Sequence, residues 1–153
     1  MHSPDYLIVP LLEAFYWFDE GLQNYLRQQG WSEVTRPQSM IMVNVVMGVT
    51  KPSEIARRLG ISRQAVHATI EQMVAMDLLT LEHDPTDRRA KVIGISKRGR
   101  RRRQDAQTAM KHLTRELARR IGSQNIQNLT AAFAENWGAP LVEFPKPAQK
   151  SRS

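Results

Sequence analysis

The chain has 153 residues, a net charge of +7 and no cysteine. This length is enough for one domain with a hydrophobic core. The absence of cysteine excludes disulfides, thiolate metal sites and cysteine redox sensing. No apolar run is long enough to span a bilayer, and we expect a cytoplasmic protein. Basic side chains concentrate in residues 51–103, which favours a polyanionic partner such as nucleic acid.

Two helices are predicted before this basic region. Apolar residues recur at helical spacing over residues 6–29, and Gly30 follows where a helix is expected to end. Residues 35–38 have the pattern of a capping box with proline in the first turn, which predicts the start of a second helix near Thr35. That helix is apolar on most sides over residues 40–47, so we expect it to be buried at the centre of the fold.

Residues 52–71 have the pattern of a helix-turn-helix, in which two helices cross steeply over a short turn. Ala56 supplies a small residue at the crossing, and Gly60 supplies a turn residue that tolerates positive φ. The predicted shared core consists of Ile55, Leu59, Ile61, Val66 and Ile70. The alternative is an αα-hairpin with no role in nucleic-acid binding.

The second helix of this pair, which Ser62 can cap, has two faces. Val66, Ile70 and Met73 form its predicted buried side. The opposite side and the N-terminal end are expected to enter the major groove, where arginine and glutamine can make bidentate contacts with bases. The candidate DNA-binding residues on this helix are Ser62, Arg63, Gln64, His67, Ala68 and Glu71.

Two alternating segments, residues 79–83 and 91–96, predict a β-hairpin with a long charged loop. Arginines in such a loop suit the negative potential of a narrow minor groove, and the adjacent aspartate could orient one of them by a bidentate pair. A solvated charged turn is the alternative. The loop candidates for DNA binding are Asp87, Arg88, Arg89 and Lys91, and the run that follows, Arg100, Arg101, Arg102 and Arg103, is expected to lie near the phosphate backbone.

A long helix is predicted from Lys97 or Gly99 to Ile121, and Ser123 can cap a last helix. The proline-containing residues 138–153 are predicted to be a disordered tail. The first helix and the closing helices have more apolar surface than one small domain can cover. We therefore expect an obligate homodimer.

The loop of the predicted β-hairpin and the residues after it resemble those of a known family. Residues 84–91 (Asp-Pro-Thr-Asp-Arg-Arg-Ala-Lys), followed by residues 95–99 (Ile-Ser-Lys-Arg-Gly), resemble the wing signature of the MarR (multiple antibiotic resistance regulator) family. Residues 61–66 (Ile-Ser-Arg-Gln-Ala-Val) and the order of the elements are also similar to that family. The resemblance implies a mainly α fold with a small β-hairpin. It places a winged helix-turn-helix at about 35–96 between dimerisation helices at 6–29 and 99–137, in a single domain over residues 1–137.

The same resemblance implies a function. The expected protein is a homodimeric transcriptional regulator that binds a pseudo-palindromic double-stranded operator. It is expected to be a repressor, or less often an activator, and a small aromatic or anionic effector is expected to release it. The ligand site does not transfer from the family. The aromatic and methionine residues that could line one also fit an ordinary core: Trp17, Phe18, Trp31 and Met42.

Three other classes of protein remain as alternatives. An enzyme would need chemistry that no motif supplies, since the chain has no glycine-rich phosphate loop, nucleophile elbow or paired metal ligands, and we expect no cofactor. The arginine run favours a nonspecific architectural DNA-binding protein, whereas the outward-facing Arg63, Gln64 and His67 favour recognition of a sequence. A winged-helix module for protein–protein contacts is the third alternative, and the basic loop counts against it.

Overall fold

The computed structural model describes residues 6–144, which form six helices and one two-stranded antiparallel sheet. The elements in chain order are α1 (Ile8–Gln28), α2 (Arg36–Val46), α3 (Pro52–Leu59), α4 (Arg63–Ala75), β1 (Leu79–His83), β2 (Lys91–Ile95), α5 (Lys97–Ile121) and α6 (Ser123–Ala134). The fold is therefore mainly α with a small β-hairpin, which confirms the predicted class. The chain divides into two compact units, of which one ends at Arg115 and the other begins at Glu116.

The predicted helix starts are confirmed by hydrogen bonds, with one exception. The Thr35 hydroxyl accepts from the Gln38 amide, and the Gln38 side chain accepts from the Thr35 amide at 2.9 Å. The Ser62 hydroxyl accepts from the Ala65 amide at 3.1 Å. The predicted cap at Ser123 is wrong: Ser123 is already helical, and Gly122 precedes α6 at φ 94° with no side-chain cap. Gly122 takes a positive φ, which glycine adopts readily, and it is the one residue between the end of α5 at Ile121 and the start of α6 at Ser123.

The core of the first unit lies between the helix-turn-helix and the hairpin. Ile55, Val66 and Ile70 are fully buried there, as predicted, and Leu59 is partly buried against them. Gly60 takes a left-handed conformation, with φ 65°, in the turn between α3 and α4. The prediction for Ile61 is wrong, since its side chain is 40% exposed. Ile61 lies in the turn rather than on either helix, so neither helix carries it inward.

The prediction that α2 is buried at the centre of the fold is right for one face only, on which Ile41 and Val45 belong to the core. Its inner face includes Gln38 and Asn44, whereas Val43, Val46 and Met47 are exposed. The buried amides are tolerated because they are hydrogen-bonded. The Gln38 Nε2 donates to Oε1 of Gln72 on α4 at 3.2 Å, and the Asn44 Nδ2 donates to a carbonyl of its own helix at 2.9 Å.

The hairpin is in register from Leu79 opposite Ile95 to His83 opposite Lys91. The Ile93 amide donates to the Thr50 carbonyl at 2.8 Å, so the hairpin is joined to the segment between α2 and α3. Residues 138–144 contain no helix or strand, and the rest of the predicted tail, residues 145–153, lies outside the described residues. Between residues 6 and 144, no helix is long and apolar enough to cross a membrane.

Candidate nucleic-acid interface

Helix α4 has the two faces that its sequence predicted. Val66, Ile70 and Met73 are at most 1% exposed. On the other side, Arg63, Gln64, Ala68 and Glu71 are exposed and His67 is half-buried. Ser62 is exposed too, but its hydroxyl is engaged in capping α4. Helical spacing therefore leaves one polar face and one basic end of α4 available to a groove of DNA.

Residues 84–90, which connect β1 and β2 and are called the wing loop here, are held together by Asp84. Sequence analysis did not single out this residue. Its side chain is 6% exposed, and Oδ1 accepts from the Thr86 hydroxyl at 2.6 Å and from the Thr86 amide at 2.8 Å. The hydrogen bond from the Thr86 hydroxyl, followed by the one from the Thr86 amide, is the main cause that holds the pKa of Asp84 below its usual value. The Asp84 amide donates to the Ala90 carbonyl at 2.9 Å, which closes the loop. The Asp-Pro-Thr sequence of an Asx turn was the available signal.

The predicted role of Asp87 is corrected by the structure. Its Oδ1 accepts from the backbone amide of Arg89 at 3.0 Å, and within residues 6–144 no ion pair involves it. Aspartate in a tight loop hydrogen-bonds the backbone two residues on, so the carboxylate shapes the chain rather than orienting a guanidinium. The side chains of Arg88, Arg89 and Lys91 are exposed at the loop and the first residue of β2.

The arginine run at the start of α5 does not act as one group. Arg100 and Arg101 are exposed, and Arg100 Nη1 donates to the Ile95 carbonyl at 2.8 Å. Arg102 is only 5% exposed and Arg103 is half-buried, so the prediction that these two lie near a phosphate backbone is wrong. Arg102 follows Gly99 by three residues and therefore shares its inner face. Burial lowers the pKa of the Arg102 guanidinium from its usual value.

An apolar cavity of about 670 Å³ lies between α1, α2 and α5. Two of the four candidate ligand-binding residues, Phe18 and Met42, line it. Trp17 does not line it but packs edge-on against Phe18, with ring centroids 4.9 Å apart. Trp31 lies elsewhere: its Nε1 donates to Asp105 at 2.7 Å, and the guanidinium of Arg98 lies 5.4 Å from its ring centroid. The four residues therefore do not form one pocket.

The cavity has a polar end with an excess of positive groups. The Gln23 Nε2 donates to the Ser39 hydroxyl at 3.0 Å, and Arg102 Nη2 donates to Gln23 Oε1 at 3.4 Å. In the described part of the chain, the Nε atoms of Arg102 and Arg103 are buried and have no hydrogen-bond partner. The carboxylate at this end, Asp19, is already paired with Arg36 at 3.4 Å. This arrangement suits an acidic group attached to an apolar body.

Large apolar side chains are exposed on the helices predicted to form a dimer. In the first unit they lie on and before α1, and in the second unit α6 has no buried residue. Among the residues described here, no group of three or more histidine, aspartate or glutamate side chains could hold a metal ion. The exposed large apolar residues on and just before α1 are Tyr6, Leu7, Ile8, Val9, Leu12 and Tyr16, and those of the second unit are Ile121, Leu129, Phe133, Trp137, Leu141, Val142 and Phe144.

Comparison with known proteins identifies the segment that carries this site. A family model described as the MarR family matches residues 32–90, whereas no curated protein matches the chain. A transcriptional regulator from Thermotoga maritima is 21% identical, with a TM-score of 0.60 over 80% of this chain and 85% of that one.

Two further solved structures carry a bound partner. A mutant MarR from E. coli complexed with operator DNA is 17% identical, with a TM-score of 0.58 over 82% of this chain and 92% of that one. The PcaV transcriptional regulator from Streptomyces coelicolor, in complex with its natural ligand, is 16% identical, with a TM-score of 0.57 over 86% and 89%. These structural similarities show that the fold of the three regulators is shared over 80% or more of this chain. The match to the MarR family model over residues 32–90 thus covers the helix-turn-helix, the first strand and the hairpin loop.

Proposed function

We propose that this protein is a sequence-specific, double-stranded DNA-binding transcriptional regulator. The observation that carries the proposal is the pairing of an exposed recognition face on α4 with a braced loop that presents Arg88 and Arg89. The first element suits the bases of the major groove, and the second suits the electronegative minor groove beside it. The MarR match at residues 32–90 and the operator complex of the E. coli relative support the same assignment.

Residues 1–137 would act as a single functional domain and would pair with a second copy. The exposed apolar side chains on α1 and on α6 support a homodimer, because exposed apolar surface of that kind marks an interface. A two-fold dimer would present two α4 helices to a pseudo-palindromic operator, with half-sites about 34 Å apart. The DNA-contacting residues would be the exposed ones of α4, the wing and the start of α5, together with the half-buried His67. The exposed ones are Arg63, Gln64, Ala68, Glu71, Arg88, Arg89, Lys91, Arg100 and Arg101, and Ser62 and Asp87 would shape the backbone.

The cavity between α1, α2 and α5 supports control by a small organic acid. The buried Arg102 and the half-buried Arg103 would bind its carboxylate, and Phe18 and Met42 would contact its apolar part. An effector that prefers a dimer with wrongly placed recognition helices would shift the population away from the DNA-binding form. A repressor released in this way fits the relative from S. coelicolor, which is described with its natural ligand.

The second candidate function is nonspecific, architectural DNA binding. Arg98, Arg100 and Arg101 are exposed on the first turns of α5. Such groups contact phosphates and carry no information about the bases. This function needs no recognition face on α4.

Selection of duplexes from a random-sequence pool by the full-length protein tests the proposal. We expect enrichment of one pseudo-palindromic sequence, and sedimentation at micromolar concentration should give a dimer. A pool that stays random after repeated rounds would favour the architectural alternative. A monomer in sedimentation would contradict the dimer, and with it the paired half-sites.

A further inference from the structure

One motif of the wing signature, residues 95–99, has no role in the function proposed above. Within it, Ser96 is only 6% exposed and takes part in four hydrogen bonds, of which one is the first bond of α5, from the Arg100 amide to the Ser96 carbonyl at 2.9 Å. Its hydroxyl donates to the Asp77 carbonyl at 2.5 Å and accepts from the Gly99 amide at 2.8 Å, and its amide donates to the Leu78 carbonyl at 3.2 Å. Ser96 is therefore the N-cap of α5 and is also attached to the chain just after α4.

Gly99 brings the first turn of α5 against the same segment. A Cβ added at this position would overlap the Leu78 carbonyl oxygen and would lie 2.9 Å from Cγ2 of Ile95. Gly99 has an ordinary helical φ. A glycine is needed at this position because two backbones approach each other closely there. We define Asp77, Leu78, Ser96 and Gly99 as the joint.

The joint is also hydrogen-bonded to the C-terminal end of α4. Asp77 and Leu78 follow Met76, the C-cap residue of α4, and the Leu78 amide donates back to the Met73 carbonyl at 2.9 Å. Asp77 takes φ 53°, the one positive φ among non-glycine residues of the described chain. The C-terminal end of α4 is thus fixed to the N-terminal end of α5 by backbone groups and one short side chain, with no flexible linker between them.

We propose that Ser96 is a positioning residue that sets the spacing at which the dimer recognises its two half-sites. The inference rests on the proposed dimeric, DNA-binding function, in which α5 is one of the helices of the dimer interface. A base pair added between half-sites moves one of them by about 3.4 Å along the DNA and rotates it by about 34°. A recognition helix attached to α5 through a rigid joint cannot follow this displacement, whereas one attached through a loosened joint can.

The test uses the full-length dimer and the duplex selected from the random pool. Affinity is measured for that duplex, for versions with one or two base pairs added or removed between the half-sites, and for a single half-site. We expect wild type to lose about tenfold or more in affinity per added or removed base pair. Ser96→Ala should lose no more than about threefold in affinity per added or removed base pair, and it should bind the single half-site with the affinity of wild type.

Two controls separate positioning from general loss of stability. Ser96→Thr keeps the hydroxyl and should restore the wild-type dependence on spacing. Ile41→Val shortens a fully buried side chain of the same unit without touching the joint, so it should lower stability and leave the spacing dependence unchanged. If Ser96→Ala retained the wild-type spacing dependence, the inference would be overturned while the proposed function stood.

A second measurement needs no DNA. Because the chain has no cysteine, a nitroxide attached through Ala68→Cys on the exposed face of α4 reports the distance between the two recognition helices in the dimer. We expect one narrow distance distribution for the otherwise wild-type protein and a broader one when Ser96→Ala is added. A broad distribution without Ser96→Ala overturns the rigid joint, and a wild type without any spacing dependence overturns it together with the paired half-sites.

Discussion

The indole Nε1 of Trp31 donates a 2.7 Å hydrogen bond to Oδ2 of Asp105, a residue 74 positions later in the chain. This bond attaches the segment after α1 to α5. Asp105→Ala would leave the partly buried indole N–H without an acceptor, and we expect a loss of about 1–3 kcal/mol in the free energy of unfolding. Urea denaturation followed by circular dichroism measures it. Asp105→Asn retains an acceptor and should recover most of the loss, and equal stabilities for all three proteins would contradict the role of the bond.

Gly99→Ala should be destabilising although alanine is the better helix former. The added Cβ would overlap the Leu78 carbonyl oxygen, which is backbone and cannot rotate away. Overpacking of this kind costs about 1–3 kcal/mol or more, against a gain of up to about 1 kcal/mol in helix propensity. Thermal unfolding checks the sign. Gln104→Ala, at an exposed position of the same helix, should leave the melting temperature nearly unchanged.

Gln64→Ala should lower affinity for the selected operator and leave affinity for random DNA nearly unchanged. Gln64 is exposed near the N-terminal end of α4, where a bidentate base contact is worth about 1–3 kcal/mol. Anisotropy titration of both duplexes gives the specificity ratio. An unchanged ratio would mean that a different part of α4 contacts the bases.

Arg101→Ala should lower affinity for operator and random DNA alike. Arg101 is exposed at the start of α5, and removal of a phosphate contact reduces the slope of log affinity against log salt by about one. Arg89→Ala, in the wing loop, should show an intermediate pattern and should weaken AT-rich flanks most. Titrations across a salt series distinguish these cases, and identical behaviour of Arg101→Ala, Arg89→Ala and Gln64→Ala would favour architectural binding.

The wing loop should loosen in acid. The Thr86 hydroxyl holds the pKa of Asp84 below its usual 3.8. A carboxylate with a lowered pKa stabilises the folded state at all pH values above its ordinary pKa, and that contribution is lost as the pH falls through the lowered value. An NMR titration of the Asp84 carboxyl should show its pKa rising toward 3.8 in Thr86→Val. Thr108→Val, whose hydroxyl bonds its own helix, should leave it unchanged.

The cavity should prefer an organic acid to its neutral amide because of Arg102. Calorimetry with 1-naphthylacetate and 1-naphthylacetamide measures this preference on the protein alone, without DNA. A charge-assisted hydrogen bond corresponds to about tenfold or more in affinity. Arg102→Met should remove the preference, and Arg101→Met, with the same loss of charge at an exposed position, should retain it. If wild type bound neither compound, or both equally, the effector assignment would fail.

Local sequence signals predicted the elements accurately. The capping box at Thr35, the left-handed Gly60 and the alternation of residues 79–83 located helix and strand ends to within about two residues. These features act between residues a few positions apart, so they do not depend on the rest of the fold. The two faces of α4 followed for the same reason, since helical periodicity alone sorts its side chains.

The sequence by itself thus determined the class of fold, the recognition helix and the wing. Tertiary structure alone decided which arginines of α5 are exposed, because the inner face of a helix is the one that meets its neighbours, and here that face carries Arg102 toward Gln23 on α1. It also separated Trp31 from Phe18, since Trp31 finds its acceptor on α5 and not in the cavity. Such outcomes depend on contacts between distant segments, which neither the spacing nor the type of residues along the chain specifies.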